Sequence, residues 1–329
     1  MGLNEKFFRS ADEDEPFFNT VLYTGNNSNK SITGVGFAPD LVWIKNRTNA
    51  NSHNLIDSVR GATKVIFSNA TNAESTRSDS LTSFDSDGFS LGNYVGVNGN
   101  HNYVAWCWKA GGAAVSNTDG DIPSNVSANV ANGFSIVKYT GNGSGSEQTV
   151  GHGLGVKPEM VIIKDLDNVR DWFVYTDIID GSMDVLYLNK TDAKANSSRT
   201  SPTSSVYKIA GTTTLNKSNQ NFISYCFHSV AGVSKVGSFV GTGAAGKKIT
   251  LDFEPSWIIT KRTSTAGAGW AIIDNKRSTA SIKRDYLYAN TNGAEATSGS
   301  GITFNTDGFT FSGASFNTSG DTHIYYAIA

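Results

Sequence analysis

The sequence predicts an all-β protein: three tandem antiparallel β-sandwich units, of jelly-roll or lectin-like type, behind a short N-terminal extension. Three observations predict it. Composition is rich in Gly (34), Phe (18), Tyr (12) and Trp (6) and poor in Pro (6) and Met (3), which suits short strands joined by turns. One set of landmarks recurs three times in the same order, the mark of internal duplication. Runs such as LVWI (41–44) and MVII (160–163) are apolar on both alternating faces and need cover on both sides, which two packed sheets supply.

The landmarks justify the elements in chain order. Each copy opens on an aromatic and a Gly-containing turn: LYTGNN (22–27), KYTGNG (138–143) and SFVGTG (238–243). A proline then starts an apolar strand ending in lysine six residues on, from Pro39 to Lys45, Pro158 to Lys164 and Pro255 to Lys261. HNLID, WFVYT and WAIID follow from His53, Trp172 and Trp270, and then runs ending at Asn69, Asn189 and Asn290. GFSLG, VYKIA and GFTFS form the next strand, two of them led by an Asp-Gly turn signal. YVAWCWK (103–109), FISYCFH (222–228) and HIYYAIA (323–329) close the copies. In the first of these Tyr103, Ala105 and Cys107 face one way and Val104, Trp106 and Trp108 the other, so the strand belongs in the middle of its unit.

Boundaries follow. Residues 1–18 form a leader, 19–112 the first sandwich, 113–133 a small, polar linker or extended strap, 134–233 the second sandwich and 234–329 the third. The last two abut almost without a spacer.

Composition excludes some classes. Formal net charge is −2 and 17% of residues are charged, so nothing draws the chain toward nucleic acid or an anionic membrane surface. No apolar run approaches the roughly 20 residues of a spanning helix, and no membrane insertion is expected.

No chemistry recurs on the strands. Cys107 and Cys226 occupy equivalent places, where the third copy has Ala327, which reads as packing. His53, His101, His152, His228 and His323 show no metal-ligand spacing and read as surface or turn residues. Residues 117–121 come nearest to a calcium loop without carrying the full oxygen pattern. The GHGLG at 151–155 reads as a wide turn that the other copies do not keep. Charges near the central hairpin change sign: Arg60 and Lys64, then Asp177, Asp180 and Asp184, then Lys276, Arg277, Lys283 and Arg284. They read as variable loop surface. No catalytic residue, metal or cofactor is assigned, and no enzyme is expected.

GFAPDLVWIKNRT, DSVRGATK, LTSFDSDGFSLG, YVAWCWKAGGAAVSNTDG and VGHGLGVKPEMVIIK closely resemble a family of tandem-repeat virion proteins of tailed, mostly marine, bacteriophages, over residues 19–329. The resemblance implies a tail or surface component of the particle, assembled in the host cytoplasm. The expected function is a tail fibre or spike-type adhesin. Its leader would dock on other virion proteins through Phe7, Phe8, Phe17 and Phe18, while sandwich loops contact a host-surface glycan or protein. A homo-oligomer, in the manner of trimeric fibres, is expected with it. The alternative is a capsid or tail decoration protein without host recognition.

Overall fold

A computed structural model describes residues 16–211 and 214–329 of the chain. Among these, regular structure is antiparallel strand apart from one helical turn, Val95–Asn98. One pairing order occurs three times. In the first unit the opening strand Phe18–Thr24 pairs with the closing strand Asn102–Trp108, which pairs with Leu41–Asn46, which pairs with Asn54–Asp57. The second unit repeats this with Phe134–Thr140, Asn221–Phe227, Met160–Asp165 and Phe173–Thr176. The third does so with Ser234–Val240, Thr322–Ile328, Trp257–Arg262 and Ala271–Asp274. A smaller sheet packs on each: Lys30–Thr33 with Gly88–Leu91, Gln148–Gly151 with Val206–Ile209, and Lys248–Thr250 with Gly308–Phe311.

The glycine of the opening turn is fixed by a close backbone approach. A Cβ on Gly25, Gly141 or Gly241 would sit 2.0, 2.3 or 2.1 Å from a carbonyl oxygen of the segment before the closing strand. In each case the glycine N–H donates to that closing region, at His101, Gln220 and Asp321.

The two faces of each closing strand enter different interiors. Tyr103, Ala105 and Cys107 lie between the two sheets of the first unit with Ile32 and Phe89. Val104, Trp106 and Trp108 lie in an interior that all three units share, and all six tryptophans are in it. The expectation that each unit covers both faces of its own central strand is therefore corrected: the second sheet covers one face, and the other two units cover the other. At roughly 2 kcal/mol per fully buried large side chain, this shared interior is a major source of cohesion.

The units contact one another in a cycle. His53 Nε2 meets the Tyr288 carbonyl (3.1 Å), Trp172 Nε1 donates to that of Phe67 (2.9 Å), and Trp270 Nε1 to that of Tyr187 (2.9 Å). The first unit thus leans on the third, the second on the first, and the third on the second. Asn69, Asn189 and Asn290 each accept from the backbone N–H of the ring residue in their own unit, at 2.8, 2.9 and 2.9 Å. A second cycle is made by backbone: Glu74 N–H to Leu166, Lys194 N–H to Thr263 and Glu295 N–H to Arg47.

Of the charged residues assigned to loop surface near the central hairpins, Arg60, Asp177, Asp184 and Arg277 are buried, which corrects that assignment for these four, while Asp180, Lys276 and Arg284 are exposed. Arg60 is buried against Asp57 (2.5 Å) and Glu74 (3.1 Å), and Arg277 against Asp274 (2.6 Å) and Glu295 (2.9 Å). Each guanidinium also donates to backbone carbonyls, which supplies the extra hydrogen bonds a buried pair requires. In the second unit the three positions hold Thr176, Ile179 and Lys194; the whole set has changed together.

Residues 113–133 are more than a connector. Val115–Asn117 and Ser124–Asn129 add two strands to the edge of the second unit's sheet, and Ile122 and Val126 enter that unit's interior. Phe17 and Phe18 are also corrected. Both rings are buried in the shared interior, with Phe18 4.8 Å from Trp108 and 5.7 Å from Trp257, so neither is presented for docking. Phe7 and Phe8 lie outside the described residues.

Candidate functional site: the open end of the third unit

Each sandwich ends at the segment just before its closing strand, and a single residue plugs that end. In the first unit the plug is Val97, fully buried, whose carbonyl accepts from the Tyr23 hydroxyl at 2.7 Å. In the second it is Leu215, fully buried, held the same way by Tyr139 at 2.9 Å. Behind each plug the tyrosine stacks on a closing-strand ring: Tyr23 on Tyr103 (5.2 Å) and Tyr139 on Phe222 (5.0 Å).

The third unit keeps the frame and loses the lock. Phe239 stacks on His323 (5.0 Å), but phenylalanine has no hydroxyl to hold the plug. The following Asn317 still accepts from the opening-turn amide at 2.9 Å, as Asn98 and Asn216 do (3.1 and 2.9 Å). The plug itself is Phe316, which takes φ 61° and stays half-buried. That left-handed backbone is costly for an aromatic residue. Its ring turns edge-on to Tyr286 at 5.4 Å.

A cavity of about 310 Å³ results, lined by Lys261, Arg262, Tyr286, Tyr288, Phe316 and His323 with small residues between them. Its aromatic wall stands on Ile282–Tyr288. That strand pairs with the long Ala296–Asn305, which also pairs with Gly308–Phe311 and so joins the two sheets.

Arg262 shares the strand face of His323, whereas the Lys261 side chain shares the opposite face with Ile324, toward the shared interior. Lys261 is 1% exposed, and the hydrogen bond resolved for it goes to the Ala268 carbonyl (2.7 Å). Burial pulls its pKa down to about 8, Arg262 adds to the fall and Asp192 opposes it. The equivalent lysines have more acceptors: Lys164 reaches the carbonyls of Thr71, Asn168 and Arg170, and Lys45 those of Asn46 and Asn49. Arg262 stands where Asn46 and Asp165 cap their own loops; it donates instead to the Thr265 and Ala266 carbonyls and meets Asp321 at 3.4 Å. Hydrogen bonds from Ser264 and Thr265 hold the Asp321 carboxyl below the usual range. His323 is 2% exposed, burial lowers its pKa to about 4, and its Nε2 has no hydrogen-bond partner.

His53, His152 and His323 are buried, not surface or turn residues in the ordinary sense; His152 meets the Thr203 carbonyl and its Nδ1 accepts from Leu154 N–H. Cys107 and Cys226 are free and buried in separate unit interiors, and burial raises both thiols, that of Cys226 to about 12. At 117–121, Asn117 accepts from Asp119 N–H and Asp121 accepts from the Thr149 amide and hydroxyl. Among the described residues no group of three or more His, Cys, Asp or Glu is placed to hold a metal ion. The GHGLG turn does have a counterpart: Gly153 and Gly155 match Gly34 and Gly36, all with positive φ, around the buried Leu154 and Val35.

Sequence reasoning missed the open end. Its signal lay in departures inside aligned landmarks: Phe239 for Tyr23 and Tyr139, and His323 for Tyr103 and Phe222. No curated protein and no solved structure matches the chain. A family model described as Domain of unknown function (DUF7483) matches residues 13–329, and the chain belongs to that family.

Proposed function

We propose that the protein is a surface component of a tailed-bacteriophage virion, an adhesin of tail fibre or spike type that meets the host surface through the open end of its third unit. One observation carries the reading: of three equivalent ends two are plugged and locked by a tyrosine hydroxyl, and the third is an aromatic and cationic cavity. Two units then serve as scaffold and one as contact, in keeping with binding sites placed on loops held by a rigid frame. The resemblance of the quoted repeats to phage virion proteins supports the particle assignment.

The second reading, a decoration protein, draws on the same resemblance and leaves the cavity without a role. Labelled protein would be tested for binding to host cells and for blocking phage adsorption, beside Ala314→Trp, which fills the mouth from an exposed position. Native protein is expected to bind and block, and the variant to lose both. Antibody labelling restricted to the capsid, with no effect on adsorption, would favour decoration.

A further inference from the structure

We propose that the cavity at the end of the third unit binds a single uncharged pyranose, its ring against Tyr286 and Tyr288 and one of its hydroxyls donating to His323 Nε2. This deepens the adhesin reading and rests on it. The first argument is the unpartnered nitrogen. His323 lines the cavity and is 2% exposed, and its Nε2 has no hydrogen-bond partner, whereas buried polar atoms are nearly always bonded. The hydrogen bond resolved for the ring goes to the Thr318 carbonyl; with Nε2 unpartnered, Nδ1 makes it. A carbonyl can only accept, so the proton sits on Nδ1. Burial keeps the ring neutral above about pH 4, and Nε2 is left as a lone pair. It calls for a donor, which a hydroxyl is and an ionised carboxylate is not. At the matching place in the first unit the Tyr103 hydroxyl accepts from Gly99 N–H and donates to the Val95 carbonyl, and in the second unit Phe222 has no polar atom to satisfy. Of the three matching positions, the unsatisfied one stands at the end that is open.

The second argument is the aromatic wall. Strand register puts its rings on the face of His323: Arg262 pairs with His323, Thr260 with both Tyr325 and Ala271, and Ala271 with Tyr288. Tyr286, two residues before Tyr288, shares that face. The two rings lie 4.9 Å apart, steeply inclined, with Phe316 against Tyr286. Half-buried rings with polar tips offer a flat apolar face and a hydroxyl together, which is what a pyranose with one C–H face presents in return. A volume of about 310 Å³ lies at the small end of ligand pockets, roughly 300–1,000 Å³, and suits one ring better than a chain of them.

The third argument is charge. Lys261 turns its side chain toward the shared interior and takes no part. Arg262, the cation on the cavity's own face, is already engaged by the Thr265 and Ala266 carbonyls and by Asp321. Asp321 in turn accepts from the Ser264 and Thr265 hydroxyls. These charges are answered within the protein, so an anion would leave water without a free cation to receive it, and an uncharged ligand loses least on entering.

The test is calorimetric titration of the full chain with D-glucose, D-galactose, D-mannose and N-acetyl-D-glucosamine, beside D-glucuronate and D-galacturonate. At least one uncharged sugar is expected to saturate the protein, and neither acid to bind more tightly than the parent sugar it matches. His323→Phe, which follows the second unit's Phe222, should weaken binding about tenfold by removing the acceptor, and Ala314→Trp should abolish it. The exposed position of Ala314 keeps the test open should His323→Phe fail to fold. An acid that binds about tenfold more tightly than its parent would overturn the uncharged assignment. Undiminished binding in His323→Phe would overturn the hydrogen bond, and undiminished binding in Ala314→Trp the site. If no sugar binds while Ala314→Trp still abolishes attachment to cells, the ligand class fails and the adhesin reading stands. If a sugar binds and Ala314→Trp blocks it while the native protein ignores host cells, the site stands and the adhesin reading fails.

Discussion

Tyr225 and Tyr326 occupy the same place on their closing strands and face different partners. Tyr225 donates to Asp57 of the first unit at 2.8 Å, and in the first unit the matching Trp106 donates to Asp274 of the third at 3.1 Å. Cyclic order would bring Tyr326 to the second unit, where Thr176 replaces the aspartate; its hydroxyl lies beside Ser234 without a hydrogen bond of normal geometry. Tyr225→Phe is therefore expected to cost about 1.5–3 kcal/mol, the range for a buried hydrogen bond to a charge. Tyr326→Phe removes an unsatisfied group and should lie within about 0.5 kcal/mol of the native protein. Urea unfolding of the two variants checks this, and equal losses would contradict it.

At the scale of the element, the strand from proline to lysine shows why a residue that looks misplaced recurs. Lys45, Lys164 and Lys261 end strands buried on both faces, and burial lowers each pKa from 10.5 to about 8. Between those values the unfolded chain holds more protons than the folded one, so stability rises with pH. It is lowest, as far as these groups go, below the folded pKa. Raising the pH from about 7.5 to 9 should move the urea midpoint upward by the equivalent of about 1 kcal/mol per lysine. Above about 9 the two buried cysteines, held protonated in the fold, pull the other way. Lys45→Met should flatten the rise by about a third, one lysine of three; an unchanged slope would show that these lysines do not titrate there.

The same strands show what was legible. Order, spacing and alternation fall along one chain, so the strands and their threefold recurrence could be read from residues alone. An apolar face in a sequence does not say whose face covers it, and Val104, Trp106 and Trp108 were assigned to cover within their own unit for that reason. Arg60 and Arg277 looked like surface charge because only one acid of each pair of partners, Asp57 or Asp274, is near in sequence, while the second, Glu74 or Glu295, comes from a different stretch of the unit. The open end was hidden further still, since it depends on a hydroxyl that Phe239 lacks and on the backbone of Phe316.

At the scale of the molecule, the shared interior makes the three units one folding unit. A fragment containing only residues 234–329 would expose Trp257, Ile259, Trp270, Ile272 and Tyr326 as one apolar patch. Such a patch drives association. The fragment is expected to self-associate on size-exclusion chromatography and to bind a hydrophobic dye, while the full chain unfolds in a single transition. A monomeric fragment that excludes the dye would show that the units stand alone.

The cycle in which first leans on third, second on first and third on second has no loose end. A fourth copy inserted into the gene would find every seat taken, and loss of one would strip a wall from both survivors. Growth and change are then confined to the outer tips, where a swapped ring or hydroxyl opens or shuts a recess without disturbing its neighbours.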